Sequence, residues 1–383
     1  MAITTVISPA SLSFANNPII FQAKTDHSLS KEESFLRIVC NATFTLNGSV
    51  PYYTGNTTFS VELSQPVKDA GTATFNLSDA AQTLIRNVQS QIDMNGGDGL
   101  SSYSVSVETS FKDVWLLDNN EQSGDSENGK TIDVVSGGLT DYEMLTMSDI
   151  TPPLLAGSSK AMTRKPDGGI VYAGEMLIVP TLLAKGSGDS IIANVRFNVG
   201  EEELYRGSNY MEEAKVDYQT ASPTNKVTEG VFTFSSGLTG SLSGYYRTNT
   251  RGVHFLRFIN GFGAVENIAV RAKDKLSYEV SGETHSLVQE ISTRPTDRRY
   301  ATKSQPVGVY ELSSGYVPVR WAEWYVQELL TSPRVWIQIE GKWVPALIES
   351  EDDCVIYDHS KPEMPHVDFT LRLAIDGVTG CTW

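Results

Sequence analysis

The stretch YSVSVETSF, residues 103–111, alternates apolar and polar side chains without interruption. Its odd-numbered residues, from Tyr103 to Phe111, would share one face, and the serines and Glu108 between them the other. Successive side chains of a β-strand point to opposite faces of the sheet, so this stretch predicts a strand with one buried and one solvated face. Half-solvated strands are typical of antiparallel sheets, because parallel sheets are covered on both faces and read as continuous apolar runs.

The same alternation recurs at residues 59–63 and 367–373, whereas helical periodicity is found in only two segments. The first is 79–92, with Ser78 as the N-cap, and the second is helix 321–331, which Ser332-Pro333 ends. Regular βα units are therefore not expected. The sequence predicts a mainly β chain, made of multi-domain β-sandwiches with one or two short helices packed on the sheets.

With 383 residues, the chain is long enough for two or three domains. Residues 1–150 are predicted to form an N-terminal β-sandwich whose segment 118–130, DNNEQSGDSENGK, is an exposed acidic loop. Pro152-Pro153 then favours a boundary, followed by a central β domain over 151–250. Residues 251–383 are predicted to form a C-terminal β-sandwich, which contains helix 321–331 and a hairpin turned at Asn260-Gly261 with positive φ angles.

The charge balance is acidic, with 30 Lys and Arg against 46 Asp and Glu and a formal net charge of −16. Nucleic acid is therefore not an expected partner, because binding to it depends on cationic neutralisation of phosphate. Residues 1–13 lack the basic and apolar regions of a signal peptide. No apolar run approaches the length of about 20 residues that a membrane span needs. We therefore expect synthesis in the cytoplasm and no membrane span.

Motifs of enzyme chemistry are missing from the sequence. The Gly/Ser stretch 240–244 has Leu242 where a nucleophile-elbow serine would stand, and no phosphate-binding glycine loop occurs. The three cysteines, Cys40, Cys354 and Cys381, show no zinc-ligand spacing, and Cys40 is interpreted as a buried core residue. We expect a non-enzymatic protein with no catalytic residues and no cofactor.

Two acidic clusters offer the oxygen ligands that a calcium ion requires. The candidate ligands are Asp93, Asp98, Asp118 and Asp125. Neither cluster has the spacing of an EF-hand loop, and the competing interpretation is a solvated acidic surface. Both interpretations stay open at the level of sequence.

Tryptophans concentrate in the C-terminal segment, and these four are candidates for a partner interface or for stacking on a glycan: Trp321, Trp324, Trp336 and Trp343. Their helix and strand periodicities place at least half of them in a core.

Three stretches of the chain resemble a known group of proteins. They are SLSFANNPIIFQAKT at 11–25, HFLRFINGFGAVENIAVRAKDK at 254–275, and YELSSGYVPVRWAEWYVQELLTSPRVWIQIEGKWVPALIE at 310–349. The second contains an FxNxFG hairpin and the third an LLxSPxVW…WVP element, in which Ala346 stands where a second valine is common. In these features the chain is similar to structural tail and baseplate-type virion proteins of Bacteroidales phages and prophages. The resemblance implies no catalytic residues.

The resemblance implies a non-enzymatic structural component of a phage virion, in the tail or tail tip, such as a hub, distal-tail or baseplate-like protein. Its expected partners are other virion structural proteins and further copies of itself in a ring or collar, and its expected location is the virion after synthesis in the host bacterial cytoplasm. The alternative is a receptor-recognition protein, an adhesin or fibre, that binds a host surface glycan.

Overall fold

The computed structural model describes most of the chain between residues 3 and 374. The described residues are 3–48, 50, 52–68, 70–95, 100, 102–146, 160–183, 193–199, 202–209, 215–221, 229–236, 240–247, 249–279, 284–286, 299–301, 307–349, 356 and 364–374. They form a mainly β chain with several, largely antiparallel sheets and three short helical segments, which confirms the predicted fold class.

Residues 3–135 form two sheets. A three-stranded sheet has the order β1-β3-β6, and a larger sheet has the order β2-β10-β7-β4-β5, with β8 and β9 also paired to β7. All pairs are antiparallel except β2 with β10. The strands are β1 Ile3–Ile7, β2 Leu12–Phe14, β3 Ile20–Thr25, β4 Glu33–Gly48, β5 Thr58–Pro66, β6 Thr72–Asn76, β7 Tyr103–Leu117, β8 Asn120–Ser123, β9 Glu127–Asn128 and β10 Ile132–Val135.

The predicted alternation of β7 is confirmed: Val105, Val107 and Phe111 are fully buried, while Glu108 is exposed. The buried face joins Phe21, Phe44 and Cys40 in the core of these two sheets. Burying an aliphatic or aromatic side chain contributes roughly 1.5–3 kcal/mol, so this face supplies much of the local stability. Burial also raises the pKa of the Cys40 thiol to about 12.

Helix α1, Ser78–Ser90, packs Leu84 and Val88 against this core, as predicted. Its start differs from the expectation, because Leu77 is the N-cap and Ser78 is the first helical residue. The side chain of Asn76 takes over the capping: its Oδ1 accepts hydrogen bonds from the Ser78 and Ile19 backbone amides, at 3.2 and 3.0 Å.

Residues 160–247 form two further sheets, with the orders β11-β13-β16 and β12-β18-β17-β14-β15. Their strands are β11 Lys160–Ala161, β12 Gly169–Tyr172, β13 Leu177–Leu183, β14 Ala193–Val199, β15 Glu202–Asn209, β16 Lys215–Ala221, β17 Glu229–Ser236 and β18 Gly240–Arg247. Only β12 and β18 run parallel.

Residues 254–373 form a seven-stranded antiparallel sheet of order β20-β19-β25-β26-β27-β24-β21, and β22 and β23 pair separately. The strands are β19 His254–Ile259, β20 Val265–Val270, β21 Ala272–Glu279, β22 Thr284–Ser286, β23 Arg299–Ala301, β24 Val307–Ser313, β25 Val335–Ile339, β26 Lys342–Glu349 and β27 Asp368–Leu373. The alternation over 367–373 is confirmed, since Phe369, Leu371 and Leu373 are buried. Every described sheet draws its strands from one predicted segment only, and the domain boundaries themselves stay a prediction.

Two of the three helical segments depart from the expectation. The helix predicted over 321–331 begins at Val319, is α-helical as α3 to Trp324, and continues as a π-helix over Tyr325–Leu330. Helix α2, Asp141–Thr146, is not predicted from periodicity, because it is less than two turns long. None of the helices in the described ranges has the length and apolarity needed to cross a membrane.

The hairpin β19–β20 is confirmed, but its turn has different chemistry. Of the turn residues 260–263, all of them described, only Gly263 has a positive φ angle, at 70°. Asn260 instead acts through its side chain, because its Oδ1 accepts the Ala264 amide at 3.0 Å. The side chain therefore closes the turn, and the Asn260-Gly261 pair does not need left-handed backbone.

Candidate functional site

A largely buried cluster of polar side chains joins three parts of the chain: the residues before 146, residues 160–183 and the residues after 254. We call this set the junction cluster. Its members are Thr163, Arg164, Lys165, Glu175, Asn260, Glu266, Asn267 and Glu328.

Arg164 contacts all three segments. Its guanidinium forms a two-point ion pair with Glu143 of α2, at 2.8 and 2.7 Å, and its Nη2 donates to the Gly138 carbonyl at 3.1 Å. The remaining nitrogen, Nη1, donates to Glu328 of the π-helix at 2.7 Å. The guanidinium carbon, Cζ, also lies 3.9 Å from the ring centroid of Phe262. One side chain thus joins three parts of the chain, and arginine suits this place because its planar fork carries five donors.

Glu328 completes this ion pair from the C-terminal side. Only 3% of its surface is exposed, and its second oxygen accepts the Gly261 amide at 2.6 Å. Glu328 is not among the residues predicted from the sequence, although the sequence carries a signal for it: it lies at i+7 from Trp321, within the apolar stripe of the helix. An acid at a core-facing position requires a buried partner.

Two further carboxylates are buried with each oxygen hydrogen-bonded. Glu266 of β20, 1% exposed, accepts from Thr163 Oγ1 at 2.6 Å and from Asn260 Nδ2 at 3.1 Å. Glu175, in the turn between β12 and β13, accepts from Asn267 Nδ2 at 2.7 Å and from the Tyr172 amide at 3.0 Å. Glu266 and Asn267 interrupt an otherwise apolar strand. Two polar residues in such a strand are a sequence signal for buried polar groups.

Burial is the main cause that raises the pKa of Glu175 and of Glu266 above the ordinary 4.5, and the nearby Lys165 charge and the hydrogen bonds only partly oppose it. Glu143 shows the opposite result. Burial alone raises its pKa, but hydrogen bonds from Arg164 and Thr140 outweigh that effect and leave the pKa lowered. Burial lowers the pKa of Arg164, but its hydrogen bonds to Glu143 and Glu328 and their negative charges outweigh that effect and raise it. The junction cluster thus combines an ion pair with two carboxyl groups whose pKa values burial raises.

Glycines allow backbones from the N-terminal and C-terminal segments to touch beside the junction cluster. A Cβ on Gly137 would overlap the backbone of Phe262, and a Cβ on Gly263 would overlap Ser136. Gln89, near the end of α1, donates to Ser136 Oγ at 2.8 Å and to the Gly263 carbonyl at 3.2 Å. This contact leaves an adjoining cleft of about 310 Å³.

The four candidate tryptophans lie at contacts between segments. Trp321, Trp324 and Trp336 are buried, and Trp343 is half-buried. The indole of Trp321 donates to the Asp167 carbonyl at 3.0 Å, and Trp336 packs in a small core beside α1. The Trp343 ring is covered by Arg257, whose guanidinium lies 4.1 Å from its centroid. At least three of these rings are therefore committed to packing, which agrees with the periodicity argument and removes them as exposed glycan platforms.

Asp93 and Trp343, two unrelated candidates in the sequence, meet through Asn95. Asp93 Oδ1 accepts the Asn95 amide at 2.9 Å, and Asn95 exchanges two hydrogen bonds of 2.7 Å with the Trp343 backbone. Asp93 thus supports a contact between segments.

The remaining calcium candidates fall into two groups. Asp118 and Asp125 are exposed, Asp118 with a φ of 50° at the β7–β8 turn, and Asp98 lies outside the described residues. Within the described ranges no three acidic, histidine or cysteine side chains lie close enough to hold a metal ion.

The acidic loop 118–130 is also more ordered than predicted. It contains the short strands β8 and β9, which pair with β7, although it is exposed as expected.

The sheets and the junction cluster define a mainly β protein whose buried polar groups join its segments. No protein-family model and no curated protein matches the chain. Solved structures are similar only weakly. They include CBD12 from CALX1.2, with 9% identity, a TM-score of 0.18 and coverage of 63% of this chain and 97% of that one.

Two other solved structures have the same low level of similarity. A Salmonella alpha-2-macroglobulin mutant has 8% identity and a TM-score of 0.22, covering 81% of this chain but only 21% of that one. The D1–D4 ectodomain fragment of ICAM-5 has 8% identity and a TM-score of 0.17, covering 89% and 73%. At these TM-scores the likenesses carry no argument about function.

Proposed function

We propose that this chain is a non-enzymatic structural component of a phage virion, in a tail or tail-tip assembly such as a hub, distal-tail or baseplate-like protein. The observation that carries the proposal is the junction cluster, because its polar side chains form hydrogen bonds and an ion pair that connect three segments of the chain. A protein that transmits mechanical load between its neighbours needs its own segments to stay together. Buried ion pairs favour this, because separating the segments would leave a charged group without its partner, which is energetically costly.

Two of the stretches that resemble phage tail proteins supply part of this junction. Residues 254–275 contribute Asn260, Gly261 and Glu266, and residues 310–349 contribute Glu328. Stretch 11–25 lies beside the cluster, because Asn17 exchanges hydrogen bonds of 2.8 and 3.0 Å with the backbone of Leu139, the residue after Gly138. Two of the three resembling stretches therefore take part in contacts between segments, which supports a common architecture.

In this role the partners are other virion structural proteins and further copies of the chain in a ring or collar. Among the described residues, β5 ends one sheet and β21 ends another, so within that part of the chain both present an unpaired strand edge of the kind through which β modules associate.

Cryo-electron microscopy of purified particles, with an epitope tag on the chain, tests the proposal. We expect several symmetry-related copies in the tail or its tip, and multi-copy assemblies of the pure protein in sedimentation. A protein that is absent from particles and stays monomeric at high concentration contradicts it. Binding to a glycan array that Trp343→Ala abolishes, with folding retained, would support the receptor-recognition alternative instead.

A further inference from the structure

An exposed, strained phenylalanine stands at the beginning of the long strand β4. The pairing of β4 with β7 shifts register between Ser34 and Arg37, which marks a bulge. Within this bulge Phe35 has a φ of 56° and 78% of its surface is exposed. Left-handed backbone is rare for a bulky L-residue and unfavourable. The bulge therefore turns a large apolar side chain toward solvent at a cost in stability.

Phe35 lies at the edge of a groove of about 470 Å³. Most of its lining is apolar, and the apolar lining residues are Phe35, Leu36, Pro66, Val114, Trp115 and Leu116. Trp115 adds a polar feature, because its indole nitrogen is buried and has no hydrogen-bond partner among the described residues. Leaving such a donor unsatisfied costs free energy.

The segments on either side of the groove are acidic. Residues 26–37 lead into the bulge, and residues 118–130 form the hairpin that pairs with β7 beside Leu116. Together they carry seven acids and three bases, a formal charge of −4. The acids are Asp26, Glu32, Glu33, Asp118, Glu121, Asp125 and Glu127, and the bases are Lys31, Arg37 and Lys130.

We propose that this groove is a docking surface for a basic segment of a partner protein that carries a large apolar side chain. The apolar side chain would lie against Phe35 and Trp115, and Lys or Arg residues beside it would face the acidic segments. A second copy of this chain fits less well, because its net charge of −16 opposes the same acidic rim. The inference does not depend on a role in a virion.

Fluorescence anisotropy with short labelled peptides tests the charge and the apolar anchor separately. One set carries Leu or Phe anchors among lysines, a second the same anchors among glutamates, and a third lysines without anchors. We expect the first set to bind about tenfold or more tightly than either of the others, and to weaken as salt is raised. Equal binding of the three sets, or binding of none, overturns the proposal.

Variants locate the binding. Phe35→Ser removes the exposed ring and Glu121→Gln reduces the charge of the rim, and both are expected to weaken binding of the first set. Tyr316→Ser is the matched control, because Tyr316 is also an exposed aromatic, at 70%, but lies after β24 in another sheet segment. Phe35→Gly provides a second test if Phe35→Ser does not fold. Binding that survives both Phe35 variants overturns the proposal.

Self-association is the competing outcome. If the wild-type protein dimerises, the Phe35 variants are monomeric and no peptide set binds, the groove is an interface between copies and the proposed basic partner is wrong. The peptide result is also separate from the virion test, since a protein absent from particles can still bind basic peptides.

Discussion

At the scale of single residues, the backbone conformation of Phe35 yields a prediction about stability. Left-handed backbone costs a non-glycine L-residue about 1–2 kcal/mol, and a glycine at this position would relieve that strain. The greater chain entropy of glycine in the unfolded state offsets about half of the stability gained. Because the Phe35 ring is mostly exposed, little burial is lost. We therefore expect Phe35→Gly to raise the free energy of unfolding by about 0.5 kcal/mol in urea titrations.

The control for this substitution is Phe59→Gly, since Phe59 is half-buried in β5 and stacks on Phe44 with centroids 4.8 Å apart. That variant is expected to lose stability. Equal decreases in the free energy of unfolding of the two variants would contradict the inference that the backbone conformation of Phe35 destabilises the protein.

The glycines beside the junction cluster give a second prediction. Gly137 and Gly168 both have positive φ angles, 81° and 84°, but only Gly137 has another backbone against the place of a Cβ. Gly137→Ala is expected to cost about 3 kcal/mol, from left-handed strain plus overlap, and Gly168→Ala about 1–2 kcal/mol from strain alone. Chemical unfolding measures both, and similar losses would mean that the Gly137–Phe262 contact can relax.

At the scale of elements, Arg164 ties α2, the π-helix and the β19–β20 turn together. Removing its charge leaves Glu328 buried without its cationic partner, so we expect Arg164→Met to destabilise the protein by about 3–5 kcal/mol. Arg37→Met is the matched control, because the Arg37–Glu121 pair is of similar length, 2.8 Å, but largely exposed. Exposed pairs contribute about 0–1 kcal/mol. Comparable decreases in the free energy of unfolding of the two variants, measured by urea titration, would show that Arg164 does not hold these elements together.

The π-helix belongs to the same element-scale argument. A π-turn holds one residue more than an α-turn, and such turns are frequent at functional positions. Here the widened turn has three buried residues. Tyr325 and Leu329 pack in the apolar core, and Glu328 belongs to the junction cluster. We interpret the departure from α-helix as the way in which one short element serves both.

At the scale of the whole molecule, the junction cluster predicts how stability depends on pH. Burial raises the pKa of Glu175 and Glu266, so the folded protein binds more protons than the unfolded chain above the ordinary value of 4.5. Their contribution is therefore present at low pH and is lost as the pH rises from 4.5 through the raised pKa values. The slope is at most about 1.4 kcal/mol per pH unit for each group.

Glu143 acts in the other direction, because its pKa is lowered and its contribution is lost as the pH falls below 4.5. Together these groups favour greatest stability close to the ordinary value of 4.5, and a decline as the pH rises through the raised pKa values of Glu175 and Glu266. Urea midpoints measured across this range should decline less steeply for Glu266→Gln, which keeps the shape of the side chain without its ionisation. Glu108→Gln, on the exposed face of β7, should follow the wild type. A wild-type slope in the Glu266 variant would contradict the assignment.

The sequence by itself determined the β class, the hairpin at 254–270, the position of α1 and the burial of strands β7 and β27. It could do so because these features depend on periods of two or of 3.6 residues within one short segment. The same local reasoning placed at least half of the candidate tryptophans in packed positions.

Only the tertiary structure decided that Arg164, Glu175, Glu266 and Glu328 meet, and that Phe35 turns outward at a bulge. The pair Arg164 and Glu328 is separated by 164 residues, and no local pattern links them. Ion pairs and bulges depend on which strands lie side by side and in which register, and those relations arise only when the sheets pack together. Local sequence patterns thus specify the strands and helices, whereas contacts between distant segments create the junction cluster and the groove at Phe35.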